Sequence, residues 1–140
     1  MIVREDSVAA FILSSVLKIR LSQPFYGFVM QDEDGFPYGA FAFTNYSGPN
    51  VELSICCNRR LGVTDVRGIA RIAFETMKVR RITVHTMASN VRAQAACRSL
   101  GMRSEGVAAD YYETEDAHVY ALLASEQKLI RINPNEQFRT

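Results

Sequence analysis

The 140-residue sequence has no tryptophan, only three cysteines, and almost no excess of charge of either sign. A formal net charge of +1 at pH 7 gives no electrostatic basis for binding nucleic acid or an anionic membrane. No apolar run is long enough to span a bilayer, and the first thirty residues lack the basic and apolar regions of a signal peptide. We therefore expect no nucleic-acid partner, no membrane partner and a cytoplasmic location.

The three cysteines are poorly placed for a disulfide or a metal site. Cys56 and Cys57 are adjacent, and neighbouring side chains on a strand point to opposite faces of the sheet. Together with Cys97, His85 and His118, they show none of the spacings typical of metal ligands. We therefore expect no metal, and we interpret the cysteines as reduced, mostly buried thiols.

The composition that remains is that of an ordinary globular domain. Hydrophobic residues make up 48% of the chain and charged residues 22%, which is enough to build one buried core. No repeat, linker or low-complexity tract divides the sequence, so we expect a single domain over 1–140. The pattern is weak over 125–140, and we expect part of this tail to be mobile.

The periodicity of apolar residues predicts three helices and six strands. The helices are expected over 7–20, 66–77 and 93–100, and the strands over 25–31, 38–44, 51–57, 82–86, 102–112 and 117–124. The first helix is expected to have Ser7 or Asp6 as its N-cap and to bury a stripe formed by Val8, Phe11, Ile12 and Ile19. The second helix is expected to have Thr64 or Asp65 as its N-cap.

The order of these elements predicts the type of sheet. DEDG at 32–35 is typical of a hairpin turn, which pairs its two strands antiparallel. From Val51 onwards the order is strand, helix, strand, helix, strand, which favours parallel pairing through right-handed crossovers. Together these features predict an α/β protein whose central mixed β-sheet has helices on both faces.

The junction between Cys56 and Asp65 is the place where the sequence favours anion binding. A strand ends there in the basic loop NRRLG and a helix begins, and the first amides of a helix have no internal partners. Gly62 would let a phosphate approach closely, and Arg59 and Arg60 add positive charge. Asp65 would compete with an anion, and an ordinary turn with solvated arginines is the alternative.

Two segments resemble the GNAT superfamily of acyltransferases. RRLGVT at 59–64 is similar to the family's pyrophosphate loop R/Q-x-x-G-x-G/A, in a degenerate form with threonine replacing the last small residue. The stretch 79–112 resembles the family's strand followed by N-x-x-A-x-x-x-Y-x-x-x-G-F and E-G, matched here at Asn90, Ala93, Gly101, Glu105 and Gly106. NYSGPNVELSI also resembles a branch of short bacterial and phage acetyltransferase-like proteins, and the resemblance covers 25–124.

The resemblance implies acetyl-CoA as co-substrate, with its pantetheine along the strand that ends at Cys57 and its diphosphate on the following loop. The residues expected to contact it are Ile55, Cys56, Cys57, Arg59, Arg60, Leu61, Gly62, Val63 and Thr64. Asn90 is expected near the pantetheine, as the N-cap of the following helix, or in both roles.

The reaction implied is direct attack of an amine on the thioester, which needs a group to accept the amine's proton. Glu52 is the candidate base, and a solvated strand glutamate is the alternative. Cys97 occupies the position of the family's tyrosine proton donor, although core packing is the favoured interpretation. Tyr111 and Tyr112 are alternative donors, and His85 is interpreted as a core histidine.

Three functions follow as hypotheses. The first is an N-acetyltransferase that modifies a small amine or a protein amino terminus. The second is a non-catalytic protein that keeps the fold and binds the coenzyme. The third is an interaction module that forms a homodimer through a strand edge or through an aromatic N-terminal half. The sequence contains no pattern that identifies the amine acceptor.

Overall fold

The structure is a computed structural model that describes residues 1–132, so the part of the predicted tail over 133–140 lies outside it. The strands are β1 (Ile2–Arg4), β2 (Phe25–Gln31), β3 (Pro37–Thr44), β4 (Asn50–Cys57), β5 (Arg81–Met87), β6 (Arg103–Ala108) and β7 (Ala117–Leu123). The helices are α1 (Asp6–Leu17), α2 (Val63–Arg71) and α3 (Val91–Ser99), and α2 continues as a π-helical segment over Ile72–Thr76.

The seven strands form one sheet in the order β1-β2-β3-β4-β5-β7-β6. Strands β4 and β5 pair in parallel, whereas the other neighbouring pairs within 1–132 are antiparallel. The predicted mixed sheet is therefore confirmed. Strand β7 lies between β5 and β6, so the parallel pairing expected across α3 does not form. Strand β1 was not predicted, because three residues are too few to show a period.

Helices cover both faces of the sheet, as predicted. On one face α1 packs against β2 and β3 through a small cluster that contains Ala9, Leu13, Val29, Ala40 and Ala42. On the other face α2 and α3 enclose the larger core, whose largest fully buried side chains include Phe41, Phe43, Phe74 and Ile82. Alternation along β3 separates the two clusters, because alanines point towards α1 and phenylalanines towards α2.

The predicted apolar stripe of α1 is wrong at Val8 and Phe11, which are 43% and 72% exposed. Ile12 is half-buried against the small cluster, but the residues that the helix buries fully are Ala9 and Leu13. The reason is a close approach to the sheet: a Cβ added at Gly27 would lie 2.8 Å from Cβ of Ala9, so only small side chains fit between helix and strand. The carboxylate of Asp6 does not cap the helix but accepts the amide of Gly27 at 2.7 Å.

The predicted stripe of α2 is confirmed, because Val66, Ile69, Ala70, Ala73 and Phe74 are all buried and the last four lie in the larger core. Its expected N-cap is wrong. Gly62 is the N-cap residue, and the helix begins at Val63, so that Asp65 lies in the first turn. This places the helix end directly after the basic loop over 58–62.

Candidate functional site

Strand β4 has two very different edges. Along one edge it pairs with β3 at six positions, from Glu52 to Cys57. Along the other it pairs with β5 at three positions, the last of which joins Glu52 to Thr83. The pairing with β5 ends at Glu52, so the alternate backbone groups of residues 53–57 on this edge have no partner in that strand. We call the space between residues 53–57 and 84–87 the β4–β5 gap.

The open end of the gap leads to a positively charged loop and a helix N-terminus. Arg59 and Arg60 are exposed, as are Gly62, Val63 and Thr64, which form the start of α2. The guanidinium carbon of Arg59 lies over the ring of Tyr38, 3.4 Å from its centroid. The first amides of a helix have no intrahelical partners and carry a partial positive charge. This end of the gap therefore favours an anion.

Asp65 lies beneath this helix end and is only 7% exposed. Its carboxylate accepts a hydrogen bond from the hydroxyl of Tyr38 at 2.5 Å and one from the amide of Gly62 at 3.3 Å. The amide of Gly62, which the sequence predicted to be free for a diphosphate, therefore already has a partner. Val63 and Thr64 remain at the exposed surface.

The closed end of the gap is formed by Glu52 and two tyrosines from the loop between β6 and β7. Nδ2 of Asn45 donates to Oε2 of Glu52 at 2.8 Å. Burial and then the Glu52 charge raise the pKa of Tyr111. Burial, followed by the charges of Tyr111, Glu115 and Glu52, raises the pKa of Tyr112 to about 12. The hydroxyls of both tyrosines therefore stay protonated at neutral pH.

His85 belongs to this end of the site, although its sequence position suggested the core. Its side chain is half-buried, and its ring stacks on Tyr111 with centroids 4.4 Å apart and planes 1° apart. The carbonyl of His85 accepts a hydrogen bond from the hydroxyl of Tyr112 at 3.2 Å. The sequence could not reveal this contact, because an irregular loop over 109–116 brings the tyrosines back to β5.

Two other predicted site residues have clear structural roles. Cys97 is 6% exposed within the larger core, and burial raises its pKa to about 11. This position agrees with the favoured interpretation of Cys97 as a packing residue. Asn90 is the N-cap of α3, where its Oδ1 accepts the amide of Ala93 at 3.1 Å. Its capping role is therefore confirmed, whereas a contact with the coenzyme stays a prediction.

The cysteines of β4 lie on opposite sides of the sheet, as their adjacency predicted. Cys57 packs against the larger core and Cys56 against the α1 cluster, and both are half-buried. Among residues 1–132, no group of three or more His, Cys, Asp or Glu side chains is arranged to hold a metal ion. No helix in the same part of the chain is long and apolar enough to cross a membrane.

The geometry thus joins an anion-favouring end to an end lined by a carboxylate and tyrosines, along a strand edge with unused backbone groups. The family model for the acetyltransferase (GNAT) domain matches residues 3–103, which is more than half of the chain. The chain therefore belongs to the GNAT family of acetyltransferases.

Solved structures share this fold. The chain is 16% identical to a mutant of the spermidine N-acetyltransferase SpeG from Vibrio cholerae, with a TM-score of 0.74 over 89% of this chain and 95% of that one. It is 17% identical to the ribosomal-protein-S5-alanine acetyltransferase from Vibrio fischeri, with a TM-score of 0.64 over 74% of this chain and 64% of that one. At such identities the likeness shows the fold. No curated protein matches the chain.

Family membership defines the general reaction. GNAT acetyltransferases use acetyl-CoA as co-substrate, and this protein is an acyl-CoA-dependent N-acetyltransferase that moves an acetyl group to an amine. The family, the fold class and the enzyme class inferred from the sequence are therefore confirmed. The site residues and the amine acceptor are the subject of the proposal that follows.

Proposed function

We propose that the protein acetylates a primary amine by direct attack on acetyl-CoA bound in the β4–β5 gap. The observation that carries the proposal is the pairing of β4 with β5 at three positions only. Pantetheine contains amide groups that can take the place of a strand partner along residues 53–57. Alternate backbone N–H and C=O groups there would hold the coenzyme arm extended, with Ile55, Cys56 and Cys57 against it.

The diphosphate of the coenzyme would bind at the start of α2. The amides of Val63 and Thr64 lie at the exposed helix end, where the helix dipole favours negative charge. Leu61 precedes them in the loop, and the exposed guanidiniums of Arg59 and Arg60 supply further charge-assisted donors. Gly62 lacks a side chain that would keep a phosphate away from this turn.

The acetyl group would lie at the closed end of the gap, beside Glu52. An amine is protonated at neutral pH and must lose a proton before it can attack the thioester. Glu52 accepts that proton, directly or through a water molecule, while Asn45 holds one of its oxygens in place. A backbone amide of Cys56 or Cys57 stabilises the negative charge that develops on the thioester oxygen.

Tyr112 would stabilise the leaving sulfur of coenzyme A. Its pKa of about 12 keeps the hydroxyl protonated, so Tyr112 serves as a hydrogen-bond donor to the thiolate as the C–S bond breaks. The carbonyl of His85 holds this hydroxyl before the reaction. Cys97 has no part in this mechanism, because its side chain is buried in the core.

The substrates of structurally similar proteins suggest which classes of amine acceptor to test. Spermidine and an alanine of ribosomal protein S5 are named for two of them, so spermidine and a peptide with N-terminal alanine are the two acceptors to test first. They represent the small-amine and protein-terminus alternatives. The cytoplasmic location and the homodimer stay predictions.

The proposal is tested by replacing Glu52 with glutamine and measuring acetyl transfer from acetyl-CoA to spermidine and to a peptide with N-terminal alanine. Loss of the base should lower kcat by about 10²- to 10⁴-fold. Coenzyme affinity should change little, because Glu52 lies at the opposite end of the gap from the helix N-terminus. Glu75→Gln, which neutralises an exposed glutamate after α2, is the matched control and should retain full activity.

Two results would contradict the proposal. Equal kcat values for Glu52→Gln and wild type would exclude Glu52 as the base. Binding of acetyl-CoA without turnover of any amine in a broad panel would favour the non-catalytic alternative. Binding itself is measured by the rise in Tm that a native-state ligand causes.

A further inference from the structure

We propose that Tyr38 is a positioning residue for coenzyme binding: it holds the Asp65 carboxylate away from the first amides of α2 and supports Arg59 beside them. This inference rests on the proposed function, in which those amides receive the diphosphate. Tyr38 is in β3 and does not border the gap, so its role is to place other groups.

Tyr38 contacts the loop and the helix end in three ways. Its backbone carbonyl accepts the amide of Asn58 at 2.9 Å, at the point where the chain leaves β4. Its ring lies under the guanidinium of Arg59, and its hydroxyl donates to Asp65. The side chain itself is only 8% exposed. One buried residue therefore connects the beginning of the loop, its first arginine and the first turn of α2.

The hydroxyl of Tyr38 keeps the Asp65 carboxylate from competing with the diphosphate. A carboxylate in the first turn of a helix is attracted to the same amides that would bind a diphosphate, and it repels the diphosphate. Here the carboxylate is directed towards Tyr38 and Gly62, beneath the helix end. Burial, followed by the hydrogen bond to Asp65, raises the pKa of Tyr38, so its hydroxyl remains a donor at neutral pH.

Removing the hydroxyl would release the carboxylate. A buried acceptor that loses a partner is destabilised and moves towards other donors. The amides of Val63 and Thr64, in the same turn, are such donors. Asp65 would then occupy the place of the diphosphate, and coenzyme affinity would fall even though no group that contacts the coenzyme had been changed.

The ring has a separate effect on Arg59. A guanidinium that stacks on an aromatic ring is fixed in one plane, while the N–H groups at its edge stay free to bind an anion. Stacking on Tyr38 therefore reduces the side-chain entropy that Arg59 loses when a phosphate binds. Phenylalanine at position 38 would retain this effect, and leucine would remove it.

The test is a double-mutant cycle in which the Kd for coenzyme A is measured by calorimetry for wild type, Tyr38→Phe, Asp65→Asn and the double variant. Tyr38→Phe should weaken binding by about 3- to 30-fold. Asp65→Asn should bind at least as tightly as wild type. The double variant should regain most of the affinity, because the carboxylate that competes with the diphosphate is gone.

Salt dependence provides a readout that a purely structural role would not affect. Competition by a carboxylate is electrostatic, so the deficit of Tyr38→Phe should shrink as ionic strength rises. Tyr38→Leu tests the ring, because it removes the stacking partner of Arg59 as well as the hydroxyl, and it should weaken binding more than Tyr38→Phe. If the Tyr38 variants fail to fold, Arg59→Lys keeps the positive charge but stacks less well, so it should weaken binding more than the control Arg71→Lys, at an exposed arginine in the last turn of α2.

The outcomes separate this inference from the proposed function. If wild type binds no coenzyme A, both are overturned. If wild type binds and Tyr38→Phe binds equally well, the positioning role of Tyr38 is wrong while the proposed function stands. The same conclusion follows if the double variant is as weak as Tyr38→Phe, because the loss then comes from damage to the loop rather than from Asp65.

Discussion

The two edges of β4 serve different purposes. Towards β3 the strand is paired at six positions, and the two strands approach so closely that a Cβ at Gly39 would lie 2.6 Å from the carbonyl oxygen of Cys56. Towards β5 it is paired at three positions and then leaves its backbone groups without a strand partner. The same eight residues are thus paired along most of one edge and along less than half of the other, which is the edge proposed to bind the coenzyme.

This difference has an energetic meaning. Backbone groups that face a strand partner are already satisfied, so that edge contributes to stability and cannot bind a ligand. Groups that face the gap have no partner in β5, so we expect them to contribute only when a ligand binds there. We therefore expect substitutions on the β3 side to change the free energy of unfolding, and substitutions around the gap to change coenzyme affinity or rate.

The largest effect on stability is expected from Phe41→Ala on the β3 side. Phe41 is fully buried and stacks on Phe28 with ring centroids 4.9 Å apart. Its loss should lower the free energy of unfolding by about 3 to 5 kcal/mol, measured by chemical denaturation. Phe36→Ala, at a position 68% exposed in the neighbouring turn, should cost less than about 0.5 kcal/mol.

The comparison would break if Phe41→Ala changed the Kd for coenzyme A while the protein was still folded. Core and gap would then not be separable, and the open edge would depend on the packing behind it. An unchanged Kd, corrected for the folded fraction, would support the separation of the two edges.

A pair of glycine substitutions sharpens the comparison. An alanine at Gly39 would collide with Cys56 and with Cε of Met30, 2.7 Å away, and should cost about 1 to 3 kcal/mol of stability. At Gly62 the nearest atom, Oδ2 of Asp65, is 3.6 Å away, and φ of −81° suits alanine. Gly62→Ala should therefore cost about 1 kcal/mol or less, as a weaker N-cap.

The two variants should separate clearly in binding. The methyl group of Gly62→Ala would stand where the diphosphate approaches, so coenzyme affinity should fall by about tenfold, whereas Gly39→Ala should bind normally once folded. Calorimetry and denaturation on the same samples measure both effects. Unchanged affinity in Gly62→Ala would mean that the diphosphate does not lie against this turn.

Much of the fold was predictable because local patterns and long-range packing agree. The strand over 25–31 and the stripe of α2 follow directly from periods of two and 3.6 residues. The buried face of α1 could not be predicted, because apolar residues occur on more than one side of that helix. Only the close approach at Gly27, a tertiary feature, selects the face with Ala9.

The candidate site was predictable in its motifs but not in its contacts. Glu52, the basic loop and the helix end could be located from strand and helix boundaries. The separation of β4 from β5 depends on a register between distant segments, which no local pattern contains. The stacking of His85 on Tyr111 and the inward turn of Asp65 towards Tyr38 are contacts of the same long-range kind.

The smallest effect on stability is expected from Asp6→Asn, at the start of α1, which packs on the β3 side of β4 and lies far from the gap. The hydrogen bond with Arg4 and the amide of Gly27 lower the pKa of Asp6 in the folded state, although burial partly opposes them. A lowered pKa stabilises the fold above the pKa of the unfolded state, and this stabilisation is lost as the pH falls through the folded-state pKa.

Because Asp6 is 44% exposed, its substitution should cost less than about 1 kcal/mol at neutral pH. Denaturation curves should show that cost shrinking in acid, as the pH falls through the folded-state pKa of Asp6. Turnover should stay at the wild-type value, since β3 and β4 lie between β2 and the gap. A loss of turnover in Asp6→Asn at neutral pH would mean that a change next to β2 alters the edge of β4 that faces the gap.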